Sequence, residues 1–474
     1  MEFHAVVLCG AGHSLGPFSK IRSTGQTKAL LPVANRPMIE YVLDWCEKAF
    51  FPRITVVCDS ESKEEIEFAL GNYKKNKQVQ EAADEETESA NKALDNGSAY
   101  IDVIALDNKS TGEIFQYIVK KEISPPCLHF AVLPCDFITD LPPQVLIEAY
   151  RNKEDSDLGM LVHYRNSLDI EDKKSKIFPK NYTVYSDIDD GNCRLLDIYT
   201  KEDLDFHKSL QLRVQMSWRY PNAVISSKLL NSSIFFGSLI DISRILNEEP
   251  ERFSDSYFSG RSLTKVIRDL ARRSWRHSEM KSTVAFNIVP NCAQFFRINN
   301  LQVWMEANRY FMKLQAMKRG QAQQTSKDKV SANVGADSTV GENTSLGEKT
   351  NVKRTIIGSG CSIGKRVKLT GSLVLDNVII EDDVQLENCI IGRSVTIRSK
   401  SKLINCNVES SFEVVKGTQS KGDTLLSLTL EGLEEEISFD ESSGTDSDDG
   451  SESDFSDEDI DDGYVSNSDG LFAY

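Results

Sequence analysis

Apolar residues in the first 60 positions form two short runs separated by an amphipathic stretch. Residues 3–9 and 53–58 are almost continuously apolar, which predicts strands that are buried on both faces of a sheet. The apolar positions between them repeat at helical spacing and are Met38, Tyr41, Val42, Trp45, Cys46 and Ala49. We expect Asn35 to be the N-cap of this helix and Pro37 to lie in its first turn. Strand, helix and strand in this order form a βαβ unit, which predicts an α/β domain.

The alternation of strands and helices predicts that this domain covers residues 1–318. Residues 129–150 predict a strand, a turn and a helix, with Asp136 just past the strand's carboxyl end, where open α/β sheets bind ligands. Residues 72–100 are polar and predict a surface insertion. A later helix, capped by Ser262, has a basic face that we expect to meet solvent, another subunit or, alternatively, an acidic partner. That face consists of Arg268, Arg272, Arg273 and Arg276.

The apolar period changes to six after residues 319–329, whose low hydrophobicity predicts a linker. The positions at this spacing are Val334, Val340, Leu346 and Val352; Ile357, Ile363 and Leu369; Val378, Val384 and Ile390; and Ile391, Ile397 and Leu403. Several of the apolar residues here are followed directly by glycine. Such hexapeptide repeats predict a left-handed parallel β-helix over residues 330–425, because each short side turns one apolar residue toward the axis. A β-sandwich would instead alternate with a period of two.

The negative charge of the chain is concentrated in its last segment. The net charge is −17, and residues 431–474 hold 17 acidic residues and no Lys or Arg, so the rest is balanced at 55 acidic against 55 basic residues. A balanced body is not typical of a DNA-binding protein. The composition of residues 431–474 predicts a disordered tail, which either keeps the chain in solution or docks on a basic partner. Candidate phosphorylation sites with an acidic residue three positions on are Ser443, Thr445, Ser451 and Ser456.

The cysteines and the longest apolar runs indicate in which compartment of the cell we expect the chain. The ten cysteines include no CxxC pair and several lie in apolar runs, as expected of reduced thiols inside a cell. The N-terminal MEFHAVV has an acid and no basic region, unlike a secretory signal. No apolar run approaches the roughly 20 residues of a membrane span. We therefore expect a cytosolic chain without a metal site, a membrane contact or a direct contact with nucleic acid.

The stretch VVLCGAGHSLGPF, residues 6–18, joins the first strand to a glycine-rich loop. It is followed in order by KALLPVANRPMI, LPCDFITD, FRINNLQVWMEANRYF and the hexapeptide repeats. This order resembles the sugar-nucleotide pyrophosphorylase family, whose members transfer a nucleotidyl group to a sugar phosphate. The resemblance implies a Rossmann-like domain with a mixed sheet. It also implies a GGxGTRLxPLT loop and a lysine that hold a triphosphate, and two aspartates that hold magnesium, the second in an xDIGTPxxYxxAN segment.

This sequence matches only part of that site. The matching residues, which the resemblance makes vestigial nucleotide-binding candidates, are Gly10, Gly12, Lys28 and Asp136. The loop's arginine is missing, and His13 does not replace a guanidinium, because it lacks the bidentate fork and is mostly neutral at pH 7. Ile298-Asn299-Asn300 stands where we expect the second aspartate. Glu113, in the stretch that corresponds to the base-reading segment, would place a negative charge near a nucleotide.

Each matching residue also has an alternative, purely structural role. The two glycines permit a tight turn, Lys28 is a solvated lysine, and Asp136 caps the helix near Leu141 or accepts hydrogen bonds from loop amides. A missing arginine and a missing metal charge each remove roughly 2.7–4 kcal/mol of transition-state stabilisation. We therefore expect no catalytic residue, no cofactor and no transferase activity.

Longer stretches resemble a narrower family. VVLCGAGHSLGPF, KALLPVANRPMIEYVLDWC, VLPCDFITDLPPQVL, SLTKVIRDLARRSW and LENCIIG resemble the gamma-subunit family of eukaryotic translation initiation factor 2B, in its fungal form. The resemblance implies a non-catalytic subunit of the guanine nucleotide exchange factor that converts GDP-bound initiation factor 2 to its GTP-bound form. It also implies a decamer with alpha, beta, delta and epsilon subunits, in which epsilon is the direct partner and carries the exchange domain. The alternative is an active nucleotidyltransferase of the mannose-1-phosphate guanylyltransferase type.

Overall fold

A computed structural model of the chain describes residues 2–85, 99–107, 109–123, 127–168, 178, 181–186, 193–277, 281–320, 333–335 and 337–427. The acidic segment 431–474, with its four candidate phosphorylation sites, lies outside these residues, as do most of the predicted linker and residues 86–98 of the predicted insertion.

The first 320 residues form an α/β domain. Its elements in chain order are β1 (Phe3–Leu8), β2 (Pro32–Val33), β3 (Arg36–Pro37), α1 (Met38–Lys48), β4 (Arg53–Cys58), α2 (Ser60–Glu85), β5 (Tyr100–Ala105), α3 (Thr111–Val119), β6 (His129–Pro134), β7 (Phe137–Thr139), α4 (Pro143–Arg151), β8 (Asp157–Arg165), β9 (Tyr182–Ser186), β10 (Cys193–Tyr199), α5 (Lys201–His207), α6 (Val214–Arg219), β11 (Ala223–Ser226), β12 (Leu229–Ser238), α7 (Leu239–Glu248), α8 (Asp255–Phe258), α9 (Leu263–Arg276), β13 (Thr283–Ile288), β14 (Phe295–Arg297) and α10 (Leu301–Gly320).

The described strands build one mixed ten-stranded sheet in the order β11-β9-β10-β13-β8-β12-β6-β1-β4-β5. Strands β6, β1, β4 and β5 are parallel, with Val6 in register between Thr55 and Val132. Strand β12 is antiparallel to both β6 and β8. The parallel βαβ unit predicted from the first 60 residues is confirmed, and the carboxyl ends of β1 and β6 lie side by side.

The sheet has a separate apolar core on each face because successive strand residues point to opposite sides. Phe3, Ala5 and Val7 of β1 pack in one core with α1, α2 and α4. Val6 packs in the other core, which is covered by α3, α7 and α9. Both faces are therefore buried, as the continuous apolar runs predict.

The predicted start of α1 is wrong. The helix begins at Met38 and Pro37 occupies the N-cap position, whereas Asn35 lies outside the helix with a φ of 63°. Ala34 and Asn35 form the two-residue turn between β2 and β3, and both have positive φ, which such turns require. Asparagine tolerates this conformation and also suits an N-cap, so residue type alone does not separate the two positions.

The first part of the predicted insertion continues a helix. Helix α2 runs through residue 85, and Tyr73 on it is buried and donates a hydrogen bond to Asp44 at 2.8 Å. Residues 72–77 of the insertion are thus polar apart from Tyr73, which packs in the core of the domain.

The arginines of α9 do not form a free basic face. Arg272 Nε lies 3.1 Å from Asp197 of β10, Arg268 contacts Asp203 at 3.1 Å, and Arg273 pairs with Glu249. Only 4% of Arg273 is exposed. The expectation of a solvent or partner face is wrong for these three residues, because acids distant in sequence neutralise them within the domain.

Residues 333–427 form the predicted left-handed parallel β-helix, so the predicted fold class is confirmed. Its strands are β15 (Asn333–Val334), β16 (Thr339–Val340), β17 (Ser345–Leu346), β18 (Asn351–Lys353), β19 (Ile356–Ile357), β20 (Ser362–Ile363), β21 (Lys368–Thr370), β22 (Leu373–Val374), β23 (Ile379–Ile380), β24 (Gln385–Glu387), β25 (Ile390–Ile391), β26 (Thr396–Ile397), β27 (Lys402–Ile404), β28 (Asn407–Val408), β29 (Glu413–Val414), β30 (Gln419–Lys421) and β31 (Thr424–Leu425).

Each coil has three sides and, from β16 onward, 17 residues, as the parallel pairing of Asn351 with Lys368 shows, whereas Asn333 pairs with Asn351 18 residues on. One side is a residue short of a hexapeptide, which explains why the spacing of six breaks between Val352 and Ile357. Ile390 does not point to the axis, although the repeat spacing predicts it; its neighbour Ile391 fills that position. Ile390 packs outward, in the apolar cluster that joins the β-helix to α10.

Buried polar contacts tie the α/β domain to the β-helix. Asn35 Nδ2 donates to the carbonyl of Ile357 at 2.8 Å. Arg22 Nε lies 2.8 Å from Glu409 Oε1, and these side chains are only 1% and 2% exposed. The β-helix therefore packs against the same side of the domain as the loops that follow β1.

Candidate functional site

The glycine-rich loop leaves β1 at the carboxyl edge of the sheet, as predicted. Gly12 has a φ of 82°, and a Cβ built on it would lie 3.0 Å from Cβ of Lys28. Gly12 is therefore required both for the backbone conformation and for the close approach of Lys28. Gly10 is exposed, and a Cβ built on it would have nothing within 4 Å. The loop conformation thus requires glycine at position 12 and not at position 10.

Lys28 is aimed into the sheet edge rather than into solvent. It begins a short 3₁₀ helix, Lys28–Leu30, and the preceding Thr27 is fixed by a 2.7 Å hydrogen bond from its hydroxyl to Glu65. Lys28 Nζ lies 2.7 Å from Asp136 Oδ2, and its side chain is only 11% exposed. The alternative of a solvated surface lysine is wrong.

Asp136 is held between two cations. Its carboxylate is 1% exposed, and Arg297 Nε donates to Oδ1 at 2.9 Å opposite the Lys28 contact. Arg297 also donates from Nη1 to Ser233 Oγ at 2.7 Å, which fixes the guanidinium in place. Burial alone would raise the pKa of Asp136, but the charges of Arg297 and Lys28 outweigh burial and lower it. The helix-cap alternative is also wrong, because Pro142 precedes α4 at the N-cap position.

Arg297 stands where the pyrophosphorylase pattern has its second aspartate. Counting back from Ala307-Asn308 along xDIGTPxxYxxAN places that aspartate at residue 297, one position before the stretch expected from sequence. Ile298 instead donates its amide to the Asp136 carbonyl at 2.9 Å, and Asn300 accepts from the Val303 amide at 2.8 Å. The position that the pattern gives to an aspartate is therefore held by a cation, which pairs with Asp136.

The residues present do not fit a magnesium ion. Magnesium is usually held by one or two carboxylates together with substrate phosphates and water. Here the carboxylate of Asp136 contacts two side-chain cations, and a divalent ion would have to displace both. Within the described ranges, no group of three or more His, Cys, Asp or Glu residues is arranged to hold a metal ion.

The base-reading stretch has a structural role. Glu113 closes a capping box with Ser110 at the start of α3, accepting from the Ser110 amide at 2.9 Å. Its carboxylate also lies 3.0 Å from Lys109 Nζ. The negative charge expected near a nucleotide is thus neutralised locally.

Three features of the site region were not found by sequence reasoning. Arg297 could have been found by strict counting within the family pattern. The Arg22–Glu409 pair has no sequence signal, because its members are far apart in the chain. Asn308 also has a role that the AN motif does not show by itself: its Oδ1 accepts from the Ala34 amide at 2.9 Å and fixes the β2–β3 turn.

Comparisons with known proteins agree with this two-part architecture. The family model for nucleotidyl transferases matches residues 4–168. A second model, described as the EIF2B subunit epsilon LbH domain, matches residues 321–420. The translation initiation factor eIF2B subunit gamma of Schizosaccharomyces pombe is 27% identical over 239 residues, which is 50% of this chain. The chain is similar to the gamma subunit of eIF2B.

The similarity to eIF2B gamma leaves part of each protein unmatched. The aligned region spans 45% of the fission-yeast eIF2B gamma subunit, less than half of its length. The nucleotidyl transferase and eIF2B-type β-helix models occur here in the order predicted from the sequence. Among the described residues, no helix is long and apolar enough to cross a membrane.

Proposed function

We propose that this chain is a non-catalytic subunit of the eIF2B complex, the guanine nucleotide exchange factor for initiation factor 2. It pairs with the epsilon subunit and assembles with alpha, beta and delta subunits in a cytosolic decamer. The similarity to eIF2B gamma supports the assignment to the complex. One observation supports the non-catalytic role above all others: Arg297 and Lys28 both contact the carboxylate of Asp136.

Negative charge develops around the reacting phosphorus during nucleotidyl transfer. Nucleotidyl transfer depends on cations and a metal ion placed where negative charge develops. In this chain the loop arginine is absent, and the lysine and Arg297 neutralise an internal carboxylate instead of a phosphate. Two losses of roughly 2.7–4 kcal/mol each would slow transfer by about 10⁴-fold or more.

The remaining structure is suited to a scaffold. The β-helix is fixed to the α/β domain by the buried Arg22–Glu409 pair, the Asn35 hydrogen bond and the apolar cluster around α10. Because the two parts are joined rigidly, the surfaces that they offer to partner proteins keep a constant relative position. Exchange itself belongs in this proposal to the epsilon subunit.

Reconstitution with the epsilon subunit tests the proposal. The full chain is co-purified with epsilon, and release of labelled GDP from initiation factor 2 is followed with epsilon alone and with the pair. We expect a stable pair and faster GDP release than with epsilon alone. Asp136→Asn is the matched variant and should leave this stimulation intact if the residues of the former site are not used. Failure to bind epsilon, or no effect on release, would contradict the proposal.

A second candidate is an active sugar-1-phosphate nucleotidyltransferase. The match of residues 4–168 to the nucleotidyl transferase model favours it, as do the four matching residues Gly10, Gly12, Lys28 and Asp136. Incubation with GTP, magnesium and mannose 1-phosphate would then release pyrophosphate. Turnover that is lost in Lys28→Ala and Asp136→Ala would establish this activity over the scaffold role.

A further inference from the structure

One side of the β-helix carries a row of exposed lysines. It is formed by β15, β18, β21, β24, β27 and β30, stacked in that order. Its outward positions in register include Lys368, Gln385, Lys402 and Gln419, so lysine and glutamine alternate from coil to coil. A second column of residues in register lies two positions further along the same strands. Lys353 and Lys421 are at the two ends of this column. We call Lys353, Lys368, Lys402 and Lys421 the lysine ladder.

The lysine ladder is not neutralised by neighbouring acids. All four lysines are exposed, and none forms an ion pair with another residue in the part of the chain that the structure describes. Glu387 is the acid between the two ends of the second column. By contrast, the nearby Arg366 is paired with Asp383 at 2.6 Å. The ladder is therefore a patch of unpaired positive charge on a chain whose net charge is −17.

The other two sides of the β-helix differ from the ladder side. One side carries Ile356 and Ile390 and is covered by α10 of the α/β domain. On the third side, Arg398 bridges Glu381 and Glu413, each at 2.7 Å, so its charges are already matched. Of the three sides, the ladder side is the one whose described strand positions carry exposed lysines.

We propose that the acidic segment 431–474 of the same chain docks on the lysine ladder. The segment holds 17 acidic residues and no basic ones, which is the complementary charge. It follows Ser427, whose amide and hydroxyl donate to Glu409 and whose carbonyl accepts from Arg22 Nη2 at 3.1 Å. Ser427, the last described residue before the segment, is thus held in the last coils of the β-helix.

Length and spacing both permit this docking. A segment of 44 residues can extend about 145 Å, whereas the ladder spans four strand spacings, or about 20 Å. Lys368 and Lys402 lie two strands apart, about 10 Å. In an extended chain, residues three positions apart are also separated by about 10 Å. Asp446, Asp449 and Glu452 have this spacing. Covalent attachment raises the local concentration of the segment at the ladder to the millimolar range.

Lysine acylation measured by mass spectrometry tests the docking in the full chain. The acylation rates of the four ladder lysines are compared with that of Lys365, which pairs with Glu348 on a neighbouring corner. At low salt we expect the ladder lysines to react at least about fivefold faster after removal of residues 431–474, because four ion pairs to the segment are lost. The rate at Lys365 should not change. About 0.5 M salt should abolish the protection in the full chain.

A substitution within the ladder gives an independent readout. Lys368→Gln with Lys402→Gln extends the glutamine column that Gln385 and Gln419 already form, so the fold is preserved. Zero-length carboxyl-to-amine cross-links between the segment and Lys353 or Lys421 should become several-fold weaker in this variant. Equal acylation rates with and without the segment would overturn the proposal. So would cross-links that form only between differently labelled chains, or protection that appears only when RNA or a partner protein is added.

Discussion

The buried pair Arg22–Glu409 should be the most sensitive electrostatic contact between the α/β domain and the β-helix. Arg22→Met removes the guanidinium from the Glu409 carboxylate, which is 2% exposed and keeps, among the described residues, the hydroxyl and amide donors of Thr24 and Ser427 but no cation. An uncompensated buried charge of this kind costs about 3–5 kcal/mol. The double variant Arg22→Met/Glu409→Leu removes both charges and should recover most of that loss, because the desolvation cost of the remaining ion disappears.

Urea unfolding, followed by tryptophan fluorescence and circular dichroism, measures the effect. The two single variants and the double variant form a cycle whose coupling energy should exceed about 2 kcal/mol. Arg366→Met is the control, since Arg366 pairs with Asp383 on the exposed surface and should not shift the midpoint. Single variants as stable as the unsubstituted chain would refute the view that this pair joins the two parts.

Three further predictions concern the turn between β2 and β3, the glycine-rich loop and the carboxylate of Asp136. Asn35→Ala should lower the free energy of unfolding by about 1–2 kcal/mol, since it removes the side-chain donor to the Ile357 carbonyl, which keeps only the Gly341 amide among the described donors, and puts alanine at positive φ; urea unfolding measures it. In the same assay Gly12→Ala should destabilise by about 1–2 kcal/mol, whereas Gly10→Ala should stay within about 0.5 kcal/mol, because only residue 12 has positive φ and a close neighbour. Folding lowers the pKa of Asp136. The ionised carboxylate therefore stabilises the fold at any pH above its pKa in the unfolded chain, and this stabilisation is lost as the pH falls through its pKa in the folded chain. The stability gap between the unsubstituted chain and Asp136→Asn, measured by urea unfolding as a function of pH, should therefore be full at pH 7 and shrink in acid.

The fold was predictable because burial repeats along the chain. The runs at residues 3–9 and 53–58 are apolar since both faces of the sheet are covered, and the hexapeptide spacing follows from the three-sided coil. The side that is one residue short was not visible in that pattern, so Ile390 was assigned to the axis along with Ile391, although only Ile391 lies there.

The electrostatic features were less predictable because their partners are distant in sequence. Arg272 pairs with Asp197 and Arg22 with Glu409, and no local pattern joins these residues. The family pattern was enough to name the matching site residues, such as Lys28 and Asp136. It was not enough to predict which side chains they contact. Only the structure places Lys28 and Arg297 on Asp136.

Metal binding at Asp136 tests most directly the proposal that this chain is not a nucleotidyltransferase. Manganese serves as a spectroscopic substitute for magnesium, and its binding is titrated by electron paramagnetic resonance with GTP present, in the unsubstituted chain and in Asp136→Asn. If Arg297 and Lys28 occupy the place of the metal, the two proteins should bind manganese equally and only weakly. A manganese–GTP site that is tight in the unsubstituted chain and lost in Asp136→Asn would contradict the account.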